Sequence, residues 1–178
     1  MIKLYLAACT KATEHDIGIK LAYYAIRDAY GLDAPLNKDE RGKPYFDGAD
    51  VHISISHSHE RCLAAISDSE VGADIEYKNG TDERLTRLAK RFFTEGEAAY
   101  VDECPRERFY EIWCAKESYI KYTGEGFSRP LSSFSVLESD MCFSRFDCGG
   151  YTVCVCSRER TDEAPLFIAD DILTNQQP

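Results

Sequence analysis

The chain has no run of 18 or more apolar residues, so no membrane-spanning helix is expected. Its first residues, Met1-Ile-Lys-Leu-Tyr-Leu-Ala-Ala-Cys9, hold an apolar run too short for a secretory core and lack a basic segment before it. They read as a first strand. Positive charge is scarce: 21 Lys and Arg stand against 31 Asp and Glu, a formal net charge of −10. A general nucleic-acid binder draws its affinity from cations on phosphates, so this balance argues against that class. It leaves room for a nucleotide substrate, because local basic groups and a bound cation can outweigh the global field. The eight cysteines include no C-x-x-C pair, which argues against a structural zinc site. With no export signal they are expected to be reduced thiols in a cytoplasmic protein, several acting as small apolar residues. What is plentiful is apolar and aromatic residues, 44% and 12%, enough for one large domain or two small packed subdomains in 178 residues.

The stretch richest in chemistry is Phe109-Tyr-Glu-Ile-Trp-Cys-Ala-Lys-Glu-Ser-Tyr-Ile-Lys-Tyr-Thr-Gly124, a helix ending at a glycine. Trp113, Glu117 and Lys121 are spaced i, i+4, i+8 and lie along one side. Alone, this pattern is a surface ion pair beside a core anchor. Upstream lies Val71-Gly-Ala-Asp-Ile-Glu76, a strand with Val71, Ala73 and Ile75 on one face and Gly72, Asp74 and Glu76 on the other. Two carboxylates at i, i+2 repel unless a cation or proton intervenes, and oxygen-only ligands suit Mg²⁺. The plain alternative is a strand edge facing water. Gly72, which clears space on the carboxylate face, favours a site.

In chain order, Ile2–Ala8 is a strand and Thr13–Tyr30 a helix stopped by Gly31. Residues 32–50 are mostly loop. Within them Gly42-Lys43-Pro44 reads as a plain turn, with ligand contact as the alternative. Val51–His59 alternates as a half-buried strand. Its three histidines allow a metal reading, but phosphate contact by Ser56 and His57 fits better, and both reach one ligand only if the strand ends there. Residues 61–66 and 71–76 are further strands, and 81–90 is a charged amphipathic helix. Thr94 and Glu97 form a capping box for a helix to about Val101. Strands are expected near 132–138, 141–147, 151–157 and 166–172, and the tail 174–178 is expected to fray. The pattern is an α+β fold of two α/β subdomains, each a helix packed on antiparallel strands. The first spans residues 1–68 and the second 69–178, with the site between them.

These motifs together resemble the 4′-phosphopantetheinyl transferases. The signature is Val71-Gly-Ala-Asp-Ile-Glu76 followed by Trp113-Cys-Ala-Lys-Glu-Ser-Tyr-Ile-Lys121. Gly42-Lys-Pro-Tyr, Ile55-Ser-His57, Phe92-Phe-Thr and Pro130-Leu-Ser-Ser-Phe-Ser-Val are similar to the surfactin-synthetase-activator (Sfp-type) branch. The resemblance covers about residues 42–136. It implies the pseudo-twofold fold of that family. It also implies transfer of the phosphopantetheine arm of coenzyme A to a serine of an apo acyl or peptidyl carrier protein, releasing adenosine 3′,5′-bisphosphate. By resemblance Asp74, Glu76 and Glu117 hold Mg²⁺, and Glu117 takes the serine proton directly or through water. Lys121 contacts the pyrophosphate, Ser56 and His57 contact phosphate, and Gly42, Lys43 and Pro44 form the adenine-side loop. Lys116 matches a motif lysine without a settled role. The branch normally carries an extra basic segment before the first long helix, absent here; Lys11, His15 or Lys20 are candidates to replace it. The chain is longer than the small trimeric branch, which implies a monomer. Two other readings are an Mg²⁺-dependent nucleotide phosphohydrolase and a non-catalytic module that binds carrier protein or coenzyme A.

Overall fold

The first strand, β1 (Ile2–Ala8), feeds two cores at once. Tyr5 and Ala7 turn towards a helix, while Ile2, Leu4 and Leu6 turn towards a second sheet. The computed structural model describes residues 1–174 and 176, with Phe127 by its backbone alone. The helix is α1 (Glu14–Tyr30), and Gly31 closes it in the left-handed conformation that glycine adopts without a Cβ clash. Then come β2 (Leu36–Lys38), β3 (Pro44–Phe46), β4 (His52–Ser58) and β5 (Arg61–Ser67). The loop expected at 32–50 thus contains a short hairpin. The Asp39 carboxylate holds its turn by accepting the N–H groups of Arg41 and Lys43 at 2.9 and 2.8 Å.

The second sheet is built from β6 (Gly72–Tyr77), β7 (Cys142–Asp147) and β8 (Tyr151–Ser157), all antiparallel, in the order β6-β8-β7. Val71, Ala73, Ile75, Tyr151, Val153 and Val155 pack face to face against Leu4, Leu6, Leu63 and Ala65 of the first sheet. The other face of this second sheet is covered by α4 (Pro105–Thr123), with α2 (Asp82–Phe92) and α3 (Glu95–Glu103) packed outside it. The layers therefore run helix, sheet, sheet, helix, as the two-part α/β reading expects.

The C-terminal segment departs from that reading. Strand β9 (Leu166–Ile168) lies parallel beside β1, so the first sheet runs β2-β3-β4-β5-β1-β9. Residues assigned by sequence to the second subdomain thus return to the first. The expected strand at 166–172 is cut short because Asp170 and Asp171 open a helix, α5 (Asp170–Thr174), where their charge suits the N-terminus. Of the tail expected to fray, Thr174 ends α5; residues 175, 177 and 178 lie outside the described residues.

The strand expected at 132–138 is also absent. Leu131–Ser133 is a 3₁₀ turn. The backbone groups a ladder would use are taken by buried side chains: Lys116 Nζ donates to the carbonyls of Leu131 and Phe134, and Glu97 Oε1 accepts the Val136 N–H at 2.8 Å. Alternation of Phe134 and Val136 looks like a strand, but no partner strand is required.

Gly72 sets the distance between β6 and α4. A Cβ there would lie 2.0 Å from the Ser118 carbonyl oxygen and 2.3 Å from the Tyr122 nitrogen, both backbone atoms. The space this residue clears is filled by helix α4, which corrects the reading that it makes room for a ligand. Gly72→Ala is expected to lower stability by about 3 kcal/mol or more, read by thermal or urea unfolding, because backbone on both sides must move. An unchanged unfolding midpoint would contradict this packing.

Candidate functional site

Strand β6 is an edge strand, and its open edge meets β4 of the first sheet. Period-2 alternation points Ser54, Ser56 and Ser58 of β4 at that edge. Ser54 Oγ accepts the Ala73 N–H at 2.9 Å, and Ser58 Oγ accepts the Tyr77 N–H at 3.1 Å. Hydroxyl groups thus occupy donors that a neighbouring strand would otherwise pair. Between them Ser56 Oγ donates to Asp74 Oδ1 at 2.7 Å, and Ser58 Oγ donates to Glu76 Oε2 at 2.8 Å.

From the other side α4 brings Trp113, Glu117 and Lys121. Pro105 starts this helix and Gly124, with φ 66°, ends it. Lys121 Nζ lies 2.7 Å from both Ser56 Oγ and Asp74 Oδ1. Asp74 is only 4% exposed. Its other oxygen, Oδ2, is buried with no hydrogen-bond partner, which is costly for a carboxylate. Burial, then the charge of Asp74, pushes the Glu76 carboxyl up to about 7, against the opposing effects of Ser58, Trp113 and Lys121. Burial and Asp74 also raise Glu117, with Lys121 opposing. The helix therefore does not carry a simple Glu117–Lys121 surface pair: the lysine reaches across to Asp74.

Trp113 packs flat on Phe109, with ring centroids 5.6 Å apart, and edge-on against Phe92 at 5.9 Å. It is the packing anchor expected from the sequence, and it also favours the ionised form of Glu76. His57 goes elsewhere. β4 continues through Ser58, so Ser56 and His57 point to opposite faces, and His57 Nδ1 lies 3.5 Å from Glu14 of α1. The condition for their sharing one ligand directly, a strand end between them, is not met. Lys43 Nζ pairs with Glu70 and donates to the Tyr122 carbonyl at 2.9 Å, tying the β2–β3 hairpin to the end of α4. Pro44 begins β3.

Two clefts border this junction. One of about 190 Å³ is lined by Lys43, Pro44, Ser54, Glu117, Lys121 and Gly124 among others. One of about 580 Å³ reaches Glu14, His15, Tyr23, Lys38 and His57. They share Gly42, Pro44 and Ile55, so they lie side by side, and of the three carboxylates Glu117 lines the smaller one.

Lys116 projects away from this site. It is fully buried, 2.7 Å from the equally buried Glu97, and burial pulls its ammonium below the ordinary lysine range while Glu97 opposes that. Glu97 Oε2 also accepts from the Thr94 N–H at 3.0 Å as part of the capping box. Sequence reading found the capping box but missed the second use of Glu97, since nothing local connects residues 97 and 116. Ser58 was missed as well, although three serines at i, i+2, i+4 on one strand face were there to be seen.

The three acidic side chains at the junction offer oxygen ligands, and Asp74 Oδ2 lacks a partner. These features fit a small hard cation such as Mg²⁺. Among the described residues no three His, Cys, Asp or Glu side chains are yet drawn close enough to enclose a metal, so side-chain adjustment would accompany binding.

A sequence profile of the 4′-phosphopantetheinyl transferase superfamily matches residues 70–169, from the start of β6 through β9. The chain belongs to this superfamily. Its similarity lies with the Sfp-type branch. It is 40% identical over 134 residues to a 4′-phosphopantetheinyl transferase of Bacillus subtilis, covering 70% of this chain and 58% of that protein. It is 39% identical over 130 residues to the 4′-phosphopantetheinyl transferase Sfp of Bacillus subtilis strain 168, covering 67% and 56%. It is 41% identical over 103 residues to the 4′-phosphopantetheinyl transferase gsp of Aneurinibacillus migulanus, covering 56% and 42%. The matched part of this chain spans between 42% and 58% of the length of these relatives. Among the described residues of this superfamily member, no helix is long and apolar enough to cross a membrane.

Two outcomes test the local physics. Lys116→Met leaves Glu97 buried without its cation and should cost about 3–5 kcal/mol, read by chemical unfolding; a near-neutral effect would contradict the pair's structural role. Because the Glu76 carboxyl is raised, its ionisation opposes folding. That penalty is absent below the unfolded value near 4.5 and grows as pH rises through about 7. In protein stripped of divalent cations, Glu76→Gln should match wild type in stability near pH 4.5 and exceed it by roughly 2 kcal/mol at pH 8. Parallel pH profiles would show that Glu76 is not strained.

Proposed function

We propose that this chain transfers the 4′-phosphopantetheine arm of coenzyme A to a serine of an apo acyl or peptidyl carrier protein, with Mg²⁺, releasing adenosine 3′,5′-bisphosphate. One observation carries the reading: Asp74, Glu76, Glu117 and Lys121 come together at the seam of the two sheets, with one carboxylate oxygen unpartnered, beside a cleft lined by Glu117 and Lys121. Membership of the superfamily and the named relatives support the reaction class.

Asp74, Glu76 and Glu117 would hold Mg²⁺, which when bound neutralises charge on the pyrophosphate and the leaving group. Little covalent work is left for the protein, so its residues chiefly position and stabilise. Glu117 accepts the carrier serine's proton, directly or through water; burial raises its basicity above that of an ordinary carboxylate, as a base requires. Lys121 supplies a fixed ammonium for the leaving bisphosphate. Ser56, hydrogen-bonded to both Asp74 and Lys121, holds these two in register. Lys43 and Pro44 line the smaller cleft, Pro44 bordering the wider one as well, and His57 faces the wider cleft beside Glu14, where it suits a phosphate or ribose. The eight cysteines are all free, in keeping with the cytoplasm.

Apo carrier proteins of fatty-acid, polyketide and peptide synthesis, incubated with coenzyme A and Mg²⁺, are expected to gain the mass of the arm. Asp74→Ala and Glu117→Ala are expected to lower transfer at least 10³-fold while remaining folded, and Lys121→Ala about 10²-fold. Release of free phosphate without a mass gain would point to a phosphohydrolase, and coenzyme A binding without either product to a non-catalytic module.

A further inference from the structure

Ser58 belongs to no motif that assigns it a role, yet it is held with unusual care. It is the last residue of β4, in the first half of the molecule, and its hydroxyl crosses the seam to Glu76 in the second half. The Tyr77 N–H, donated to Ser58 Oγ at 3.1 Å, uses one of its lone pairs. An ionised Glu76 has no proton to give, so the Ser58 hydrogen has one direction to point, towards Glu76 Oε2 at 2.8 Å. The next residues clamp this arrangement. His59 takes φ 54°, the one positive value at a non-glycine among the described residues. Its ring stacks on Tyr77, with centroids 4.6 Å apart and planes 19° apart. Tyr77 in turn rests on Tyr151 at 5.0 Å, whose hydroxyl accepts the Glu60 N–H at 3.4 Å. A strained backbone persists only where its surroundings over-determine it, and here stacking and two hydrogen bonds do so. These contacts seat the β4–β5 turn on β6 and β8, with Ser58 at its root.

We propose that Ser58 is a positioning residue for Glu76: its hydroxyl, held by the Tyr77 N–H and the His59–Tyr77 stack, orients the Glu76 carboxylate for a divalent cation. The inference rests on the reading of Glu76 as a cation ligand. A ligating carboxylate oriented by a fixed donor loses less freedom on binding, and outer partners of this kind are commonly worth ten- to a hundredfold in metal affinity. Trp113 also favours the ionised form of the same carboxylate, so deleting Ser58 leaves one of its supports in place.

The test is titration of the full chain with Mn²⁺ alone, reading free ion by electron paramagnetic resonance, for wild type, Ser58→Ala and Ser58→Thr. Thermal unfolding confirms that each variant is folded. Ser58→Ala is expected to bind Mn²⁺ about tenfold more weakly, and Ser58→Thr, which keeps the hydroxyl, within about threefold of wild type. In the transfer assay, Ser58→Ala should raise the Mg²⁺ concentration for half-maximal rate by a similar factor and largely retain kcat at saturating Mg²⁺. Wild-type affinity in Ser58→Ala, or a Thr variant as weak as the Ala variant, would overturn the role of Ser58 alone. Absence of Mn²⁺ binding in the wild type would overturn the ligand reading of Glu76 and this inference with it.

Discussion

The contact on which most of this molecule depends is the meeting of Asp74, Ser56 and Lys121. It joins three elements that share no local sequence: β4 from one sheet, β6 from the other, and α4 above them. An edge strand left open would expose unpaired donors, and β4 closes that edge with serine hydroxyls rather than with a backbone ladder. The two halves therefore join through side chains that also orient carboxylates. Gly72 makes the third approach possible, because only a residue without a Cβ lets the backbone of α4 come down onto β6. Packing and chemistry are set by the same few residues, so a change in one is expected to appear in the other.

The electrostatics of the seam are unbalanced in a useful direction. Lys121 satisfies one oxygen of Asp74 and leaves the other buried and unpartnered. Glu76 and Glu117 are both held above the ordinary carboxylate range by burial and by Asp74. A fold selected for stability alone would not gather three carboxylates around one ammonium. The apolar faces of the two sheets offset that cost, while the buried Lys116–Glu97 pair fixes the backbone of residues 131–136. Of the two lysines of α4, the fully buried Lys116 points away from the site and is structural, and the partly exposed Lys121 meets the cleft.

Much of this was legible in the sequence, for reasons that are local. The capping box at Thr94 and Glu97, the glycine stop after α1, the alternation of β6 and the i, i+4 spacing on α4 each depend on residues within a turn or two of one another. What was not legible depends on distant partners. Alternation at 132–138 predicts a strand, but Lys116 and Glu97 had already claimed its backbone groups. The apolar segment at 166–168 gave no sign that it would pair with β1 instead of its nearer neighbours. Ser56 and His57 are adjacent in the motif, yet the strand between them does not end, so only Ser56 reaches the carboxylates. Gly72 was read as clearing space on the carboxylate face, but helix α4 fills that space.

The central claim is that the free oxygen of Asp74, with Glu76 and Glu117, is a cation site built into the seam. The most direct measurement is a crystal soaked with Mn²⁺ and examined by anomalous scattering. The account predicts a single strong peak within bonding distance of Asp74 Oδ2, with Glu76 and Glu117 drawn towards it. A peak elsewhere, or none in crystals whose seam is intact and open to solvent, would contradict it.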